Sequence, residues 1–133
     1  MRLRSAFIFA LLIILGQTTL VGQNDDISNT VTAALKSADA SKLAINFNST
    51  IDLQVDKTDG SFSKKQAEII ISEFFKKSPV KSYTSNHMGS SDDGSNYIIG
   101  TYTSTNGKKY RVYVLLKNRD GKLLINQLQF EEE

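Results

Sequence analysis

The chain has 133 residues, is 40% hydrophobic, carries a formal net charge of +2, and contains one histidine and no cysteine. Without cysteine, disulfides, thiolate metal sites and a cysteine nucleophile are excluded. A single histidine also argues against zinc, which takes several histidine, cysteine or acidic ligands.

The first 22 residues have the pattern of a secretory signal peptide. Arg2 and Arg4 precede an unbroken apolar run from Ala6 to Leu15, and polar and small residues follow. This run is about half of the roughly 20 residues that a membrane-spanning helix needs. We therefore predict a signal peptide over residues 1–22 that is cleaved after Gly22, and an exported protein that is periplasmic or secreted.

The predicted mature chain, residues 23–133, is formally neutral. Removal of the signal peptide removes two arginines and leaves 14 Lys and Arg against 14 Asp and Glu. A neutral chain gives no support for nucleic-acid binding or for binding to an acidic membrane, so we expect neither partner after cleavage. Its length suits one domain with one hydrophobic core.

Three helices are predicted in the first half of the mature chain. The first has an apolar stripe from Ile27 to Ala38, and Asp39 is a plausible N-cap for a short second helix. Ser63 and Gln66 form a capping box that opens the third and longest helix, and Pro79 ends it. Its apolar stripe consists of Ala67, Ile70, Ile71, Phe74 and Phe75.

Strands account for the rest of the chain. TIDLQV alternates between apolar and polar residues, and the KTDGS that follows it predicts a turn. After Pro79, four segments of strand character are connected by SDDG, TNG and RDG, which are hairpin signals. Helices followed by a run of long strands predict an α+β domain, with the helices on one face of a curled, mostly antiparallel sheet.

The strand KKYRVYVLLKN predicts which sheet face is covered. Val112 and Val114 alternate with Arg111 and Tyr113, so we expect the valines to face the helices. Tyr113 and Leu115 then lie on the outer face, where so much apolar area suggests a partner, most simply a second copy.

These elements resemble a known fold. Their order is similar to the nuclear-transport-factor-2-like cone, also described as a cystatin-like fold, in which a sheet wraps a long helix and often leaves a pocket. AALKSADASKLAINFNSTIDL, SKKQAEIIISEFFKKSPVKSY and HMGSSDDGSNYIIGTYTSTNGKKYRVYVLLK resemble a family of small exported bacterial proteins of unknown function within that fold. The resemblance implies no established activity and no cofactor.

His87 is the sharpest candidate residue, because no other histidine is present to carry a proton. Simple alternation places it on the same strand face as Tyr83 and Ser85. A structural strand histidine is the alternative, and we assign no catalytic residue and no metal ligand. Candidates for contacts in a pocket are His87, Tyr83, Tyr97 and Tyr110.

Acidic residues provide weaker candidates. SSDDGSN lacks the ligand spacing of a calcium loop, so its aspartates are interpreted as turn residues. Asp52 on the first strand and Glu68 and Glu73 on the third helix could serve as bases inside a pocket, but Asp52 and Glu68 fall on polar faces of their predicted elements and are interpreted as solvated. The leading hypothesis is a non-enzymatic domain that binds a small apolar ligand or a protein, and the alternatives are an isomerase or dehydratase-like enzyme and a self-associating structural subunit.

Overall fold

A computed structural model describes the backbone of residues 23–133 and the side chains from Asp26 onward. The predicted signal peptide lies outside the described residues. The elements are α1 (Gln23–Lys36), α2 (Ala40–Ala44), β1 (Phe47–Val55), β2 (Thr58–Ser63), α3 (Lys64–Lys77), β3 (Val80–Ser90), β4 (Asn96–Ser104), β5 (Lys109–Arg119) and β6 (Lys122–Glu132).

The six strands form one sheet in the order β2-β1-β6-β5-β4-β3. β1 runs parallel to β6, and every other neighbouring pair is antiparallel. The predicted α+β class and the four-strand meander are confirmed, and Gly94, Gly107 and Gly121 adopt positive φ angles in its three turns. Val112, Val114 and Leu116 are fully buried on the inner face, which the helices cover.

The helices begin where their capping residues predict. Asp39 accepts a hydrogen bond from the Lys42 amide at the start of α2, and Ser63 and Gln66 form the full capping box of α3. Each cap satisfies amide groups that have no partner within the helix. The helix α3 therefore begins at Lys64, directly after its cap, and its apolar stripe faces the sheet.

One predicted turn is in fact a strand. The segment KTDGS was expected to form a loop, but Thr58–Ser63 is β2, and its Gly60 pairs with Leu53 of β1. The chain reverses earlier, at Asp56, whose φ is 51°. Aspartate tolerates this left-handed conformation, so the turn does not need the glycine that marked it in the sequence.

An aromatic cluster joins α3 to the sheet. The Phe74 ring centroid lies 4.7 Å from that of Phe130 and 5.1 Å from that of Tyr110. Phe75 stacks on Tyr102, whose hydroxyl donates a 2.6 Å hydrogen bond to the Ser78 carbonyl. Burial, and secondarily the nearby Tyr110, raises the pKa of Tyr102 to about 12. These rings fill the interior at this end of the sheet.

The contact between Tyr83 and Gly100 yields a stability prediction. A Cβ atom on Gly100 would lie 2.6 Å from Cε2 of Tyr83, whereas one on Gly60 would lie 3.5 Å from the Phe62 ring. Gly100→Ala should therefore lower the free energy of unfolding by about 1–3 kcal/mol through overpacking. The matched Gly60→Ala should be neutral or stabilising by up to about 1 kcal/mol. Urea unfolding measures both, and equal effects of the two variants would contradict this account of Gly100.

Tyr102 yields a second prediction, about pH. Tyr102→Phe should cost about 1 kcal/mol at pH 8, because the hydrogen bond to Ser78 is lost. Between pH 10 and 12 the unfolded tyrosine ionises while the folded one stays protonated. The wild-type protein therefore loses stability in that window through this group, and the phenylalanine variant does not. The wild-type protein should therefore exceed Tyr102→Phe in free energy of unfolding by less at pH 11 than at pH 8. A difference that is constant or larger at pH 11 would contradict the raised pKa of Tyr102.

Candidate functional site

A cleft of about 660 Å³ opens beside the aromatic cluster. The turn between β1 and β2, the second half of α3, and the paired ends of β5 and β6 enclose it. Its floor is apolar and consists of Val55, Ile70, Phe74, Tyr110 and Phe130. Its rim carries Asp56, Lys57, Glu73, Lys77, Glu131 and Glu132.

The helix α3 supplies one wall through its residue spacing. Ile70, Glu73 and Lys77 are three and four residues apart, so they project from the same side of the helix. This side lies next to the buried stripe that contains Phe74. Ile70 is therefore only half-buried, and it is the apolar side chain of α3 that a ligand in the cleft can cover.

The charges on the rim are mostly free to meet a ligand. Among the side chains that the structure describes, from Asp26 onward, one ion pair is formed, between Lys108 and Glu132 at 3.7 Å. Glu73 and Lys77 are one helical turn apart but do not approach each other within 4.0 Å. The rim therefore presents unpaired charges of both signs above an apolar floor.

The floor offers few chemically reactive groups. Tyr110 is 3% exposed, and its hydroxyl lies 3.5 Å from the Ser78 hydroxyl. Across the described part of the chain, no three His, Cys, Asp or Glu side chains are grouped to hold a metal ion. The floor itself carries no carboxylate or amine, and the charged groups of the cleft lie on its rim.

The four candidate pocket residues are distributed over both faces of the sheet. Tyr110 lines the cleft, whereas Tyr83 is buried on the inner face and accepts a hydrogen bond from the Ser85 hydroxyl. Burial raises the pKa of Tyr83, and this hydrogen bond partly opposes the rise. His87 and Tyr97 lie together on the outer face, with Nε2 3.1 Å from the Tyr97 hydroxyl.

A β-bulge explains why His87 and Tyr83 separate. The pairing of β3 with β4 shifts between Ser85 and His87, so that His87 lies opposite Ile99 on the outer face. Tyr83 lies opposite Tyr102, on the inner face. The prediction that alternation keeps His87 with Tyr83 and Ser85 is wrong, because the extra residue reverses the alternation.

The acidic candidates occupy structural positions. Asp52 is exposed and accepts a hydrogen bond from Ser61 on the neighbouring strand. Asp93 accepts hydrogen bonds from the hydroxyl and the amide of Ser95, and these bonds lower its pKa. They close the turn between β3 and β4, in agreement with the interpretation of SSDDGSN as a hairpin turn.

Sequence reasoning missed the rim of the cleft. Asp56 and Lys77 were assigned to no site and Lys57 was placed in the predicted turn KTDGS, whereas Glu73 was considered as a base but not as part of a rim. One signal was available: Ile70 lies at the border of the apolar stripe, with Glu73 and Lys77 at helical spacing behind it.

Comparisons with known proteins identify relatives but no activity. The family model described as "Domain of unknown function (DUF4783)" matches residues 28–131. No functionally curated protein matches the sequence.

Among the described helices, none has the length and apolar character of a membrane-spanning segment.

Solved structures of similar proteins come from several bacteria. A DUF4783 family protein from Bacteroides ovatus is 29% identical, with a TM-score of 0.73, and the match covers 78% of this chain and 93% of that one. One from Bacteroides uniformis is 23% identical, with a TM-score of 0.75, and the match covers 80% and 97%.

A more distant structure supports the fold alone. The match to an NTF2-like protein of unknown function from Shewanella baltica covers 84% of this chain and 91% of that one, at 13% identity and a TM-score of 0.61. The family match and this shared architecture confirm the resemblance inferred from the sequence. The chain belongs to the DUF4783 family of unknown function and has the nuclear-transport-factor-2-like fold.

Proposed function

We propose that this protein is a non-enzymatic binding domain that holds a small amphipathic molecule in the cleft beside α3. One observation carries the proposal: a concave space of about 660 Å³ combines an apolar floor with a charged rim of which only Glu132 is in an ion pair among the described side chains. Sites for small ligands commonly measure about 300–1,000 Å³ and combine apolar walls with a few polar groups. The apolar part of the ligand would cover Ile70, and its polar part would meet the rim.

The positions of the proton-transfer candidates favour binding over the isomerase or dehydratase alternative. His87 and Asp52 both lie outside the cleft, on the outer face of the sheet. The interior that such an enzyme would use is occupied by Phe74, Val112 and Leu116, which are at most 2% exposed. Among the sequence candidates, Tyr110 on the floor and Glu73 on the rim border the cleft.

A charge placed on the cleft floor tests this proposal. The neutral fluorescent probe N-phenyl-1-naphthylamine should bind the mature domain, and Ile70→Lys should weaken its binding at least about 10-fold, or ~1.4 kcal/mol. The reason is that a lysine ammonium group opposes burial of an apolar ring beside it. Fluorescence titration of the folded proteins gives the dissociation constants.

The neighbouring residue provides the matched control. Ile69 is 53% exposed on α3 and does not line the cleft. Ile69→Lys adds the same charge to the same helix and should leave probe binding within about twofold of wild type. Absence of probe binding in the wild-type protein, or equal weakening by both variants, would count against the cleft as the binding site.

We also propose that the domain acts after export. Arg2, Arg4 and the apolar run Ala6–Leu15 support this proposal, and the family match begins at residue 28, after the expected cleavage point at Gly22. The ligand would then be a molecule that is present outside the cytoplasm.

The export proposal predicts a processed protein. When the full chain is expressed in a bacterium, the periplasmic fraction should contain a product that begins at Gln23, as read by N-terminal sequencing and intact mass. Ile13→Arg places a charge inside the apolar run and should retain the unprocessed chain in the cell, whereas Ile13→Leu should be exported normally. Full-length protein confined to the cytoplasm in the wild type would contradict the proposal.

A further inference from the structure

A second cleft, of about 300 Å³, opens at the opposite end of β5 and β6 from the cleft beside α3. The first turns of α1, the junction between α2 and β1, and the turn between β5 and β6 enclose it. It is hereafter the hairpin cleft, and its lining includes Asp26, Ile27, Asn46, Lys122 and Leu123. Its volume is at the lower end of the range for small-ligand sites.

The floor of the hairpin cleft combines two apolar side chains with one amide. Ile27 and Leu123 are buried, and Asn46 is 9% exposed. Both backbone groups of Asn46 are paired, because its amide donates a 3.2 Å hydrogen bond to the Leu43 carbonyl and its carbonyl accepts a 2.7 Å hydrogen bond from the Ile125 amide. These two bonds fix the position of Asn46 on the floor.

The side chain of Asn46 lacks a hydrogen-bond partner. Asparagine side chains elsewhere form hydrogen bonds, as those of Asn48, Asn86 and Asn118 do, whereas that of Asn46 forms none with the described residues. A buried polar group without a partner is uncommon, because burial removes the water that would otherwise pair with it. The amide of Asn46 therefore has an acceptor and two donors free for a ligand in the hairpin cleft.

Charges of opposite sign flank this floor. Asp26 on α1 and Lys122 at the start of β6 both border the hairpin cleft, and both are exposed. Neither belongs to the ion pair found among the described side chains, so Asp26 and Lys122 do not approach each other within 4.0 Å. A ligand between them would complete two charge pairs if it carried an ammonium group on the side of α1 and a carboxylate on the side of the hairpin.

We propose that the hairpin cleft binds a dipeptide with free ends and an apolar side chain. An extended dipeptide carries an ammonium group and a carboxylate about 7 Å apart, with one peptide group between them. The carbonyl or the N–H of that peptide group can pair with the amide of Asn46. The apolar side chain would cover Ile27 and Leu123. A free amino acid lacks the peptide group, and the small volume favours two residues over a longer peptide.

Binding is tested by titrating the mature domain with the dipeptide Ala-Leu. In proton–nitrogen NMR correlation spectra, about 1 mM Ala-Leu should shift the side-chain amide signals of Asn46 and the backbone signals of Gly121 and Lys122. Two blocked peptides serve as controls, alanyl-leucinamide without the carboxylate and acetyl-alanyl-leucine without the ammonium group. Each should bind about threefold or more weakly than Ala-Leu, as expected for the loss of one exposed charge pair.

Asn46→Leu separates a binding role of this amide from a structural one. The substitution should weaken Ala-Leu binding about fivefold or more, whereas the free energy of unfolding should stay the same or rise, because a buried polar group without a partner is removed. Asn48→Leu is the matched control, since Asn48 is already hydrogen-bonded to Asn126 and does not line the hairpin cleft. It should leave Ala-Leu binding within about twofold of wild type.

Lys122→Gln tests the carboxylate contact in a variant whose buried floor is unchanged. It should weaken Ala-Leu binding about threefold or more and leave the binding of alanyl-leucinamide unchanged, since that peptide has no carboxylate. Arg119→Gln removes the same charge from the same hairpin at a position outside the hairpin cleft. Its Ala-Leu binding should stay within about twofold of wild type.

Three results would overturn the proposal. Unchanged Asn46 signals in the presence of Ala-Leu would exclude binding at this amide. Equal binding of Ala-Leu and alanyl-leucinamide would exclude a dipeptide with free ends as the ligand. Equal weakening by Asn46→Leu and Asn48→Leu, or by Lys122→Gln and Arg119→Gln, would place the binding outside the hairpin cleft. Each result leaves the ligand proposal for the cleft beside α3 unaffected, because neither Asn46 nor Lys122 lines that cleft.

Discussion

The packing of Phe74 against the sheet is the interaction on which the rest of the domain depends. Its ring contacts Phe75 on the same helix and rings from three strands, Tyr102 on β4, Tyr110 on β5 and Phe130 on β6. One side chain of α3 therefore contacts three adjacent strands, which positions the helix on the sheet. The cleft begins where this cluster ends, so the same rings that stabilise the fold also form the floor of the candidate site.

Local patterns predicted much of this fold, because each depends on residues close together in the chain. The capping box at Ser63, the alternation in β5 and the hairpin signals all act over a few residues, and the structure bears them out. β2 was not predicted because its Asp59-Gly60 pair has the local pattern of a turn. Pairing with β1 overrides this local preference.

The candidate site was largely beyond sequence reasoning. The cleft is assembled from a turn near residue 56, a helix side near residue 73 and a strand end near residue 131, and no local pattern relates these segments. His87 shows a second limit, since one extra residue in a strand reverses every later side chain. The sequence between Ser85 and His87 has no glycine or proline to mark the bulge.

β3 also bears on how this molecule assembles. It is an edge strand of 11 residues, and its pairing with β4 slips twice, near Val80 and near His87. A long regular edge strand can pair with a strand of another molecule through its unpaired amide and carbonyl groups. The two irregularities in β3 distort this row of groups. At the other edge, β2 has only six residues. Growth into open-ended fibrils is therefore disfavoured at both edges of the sheet.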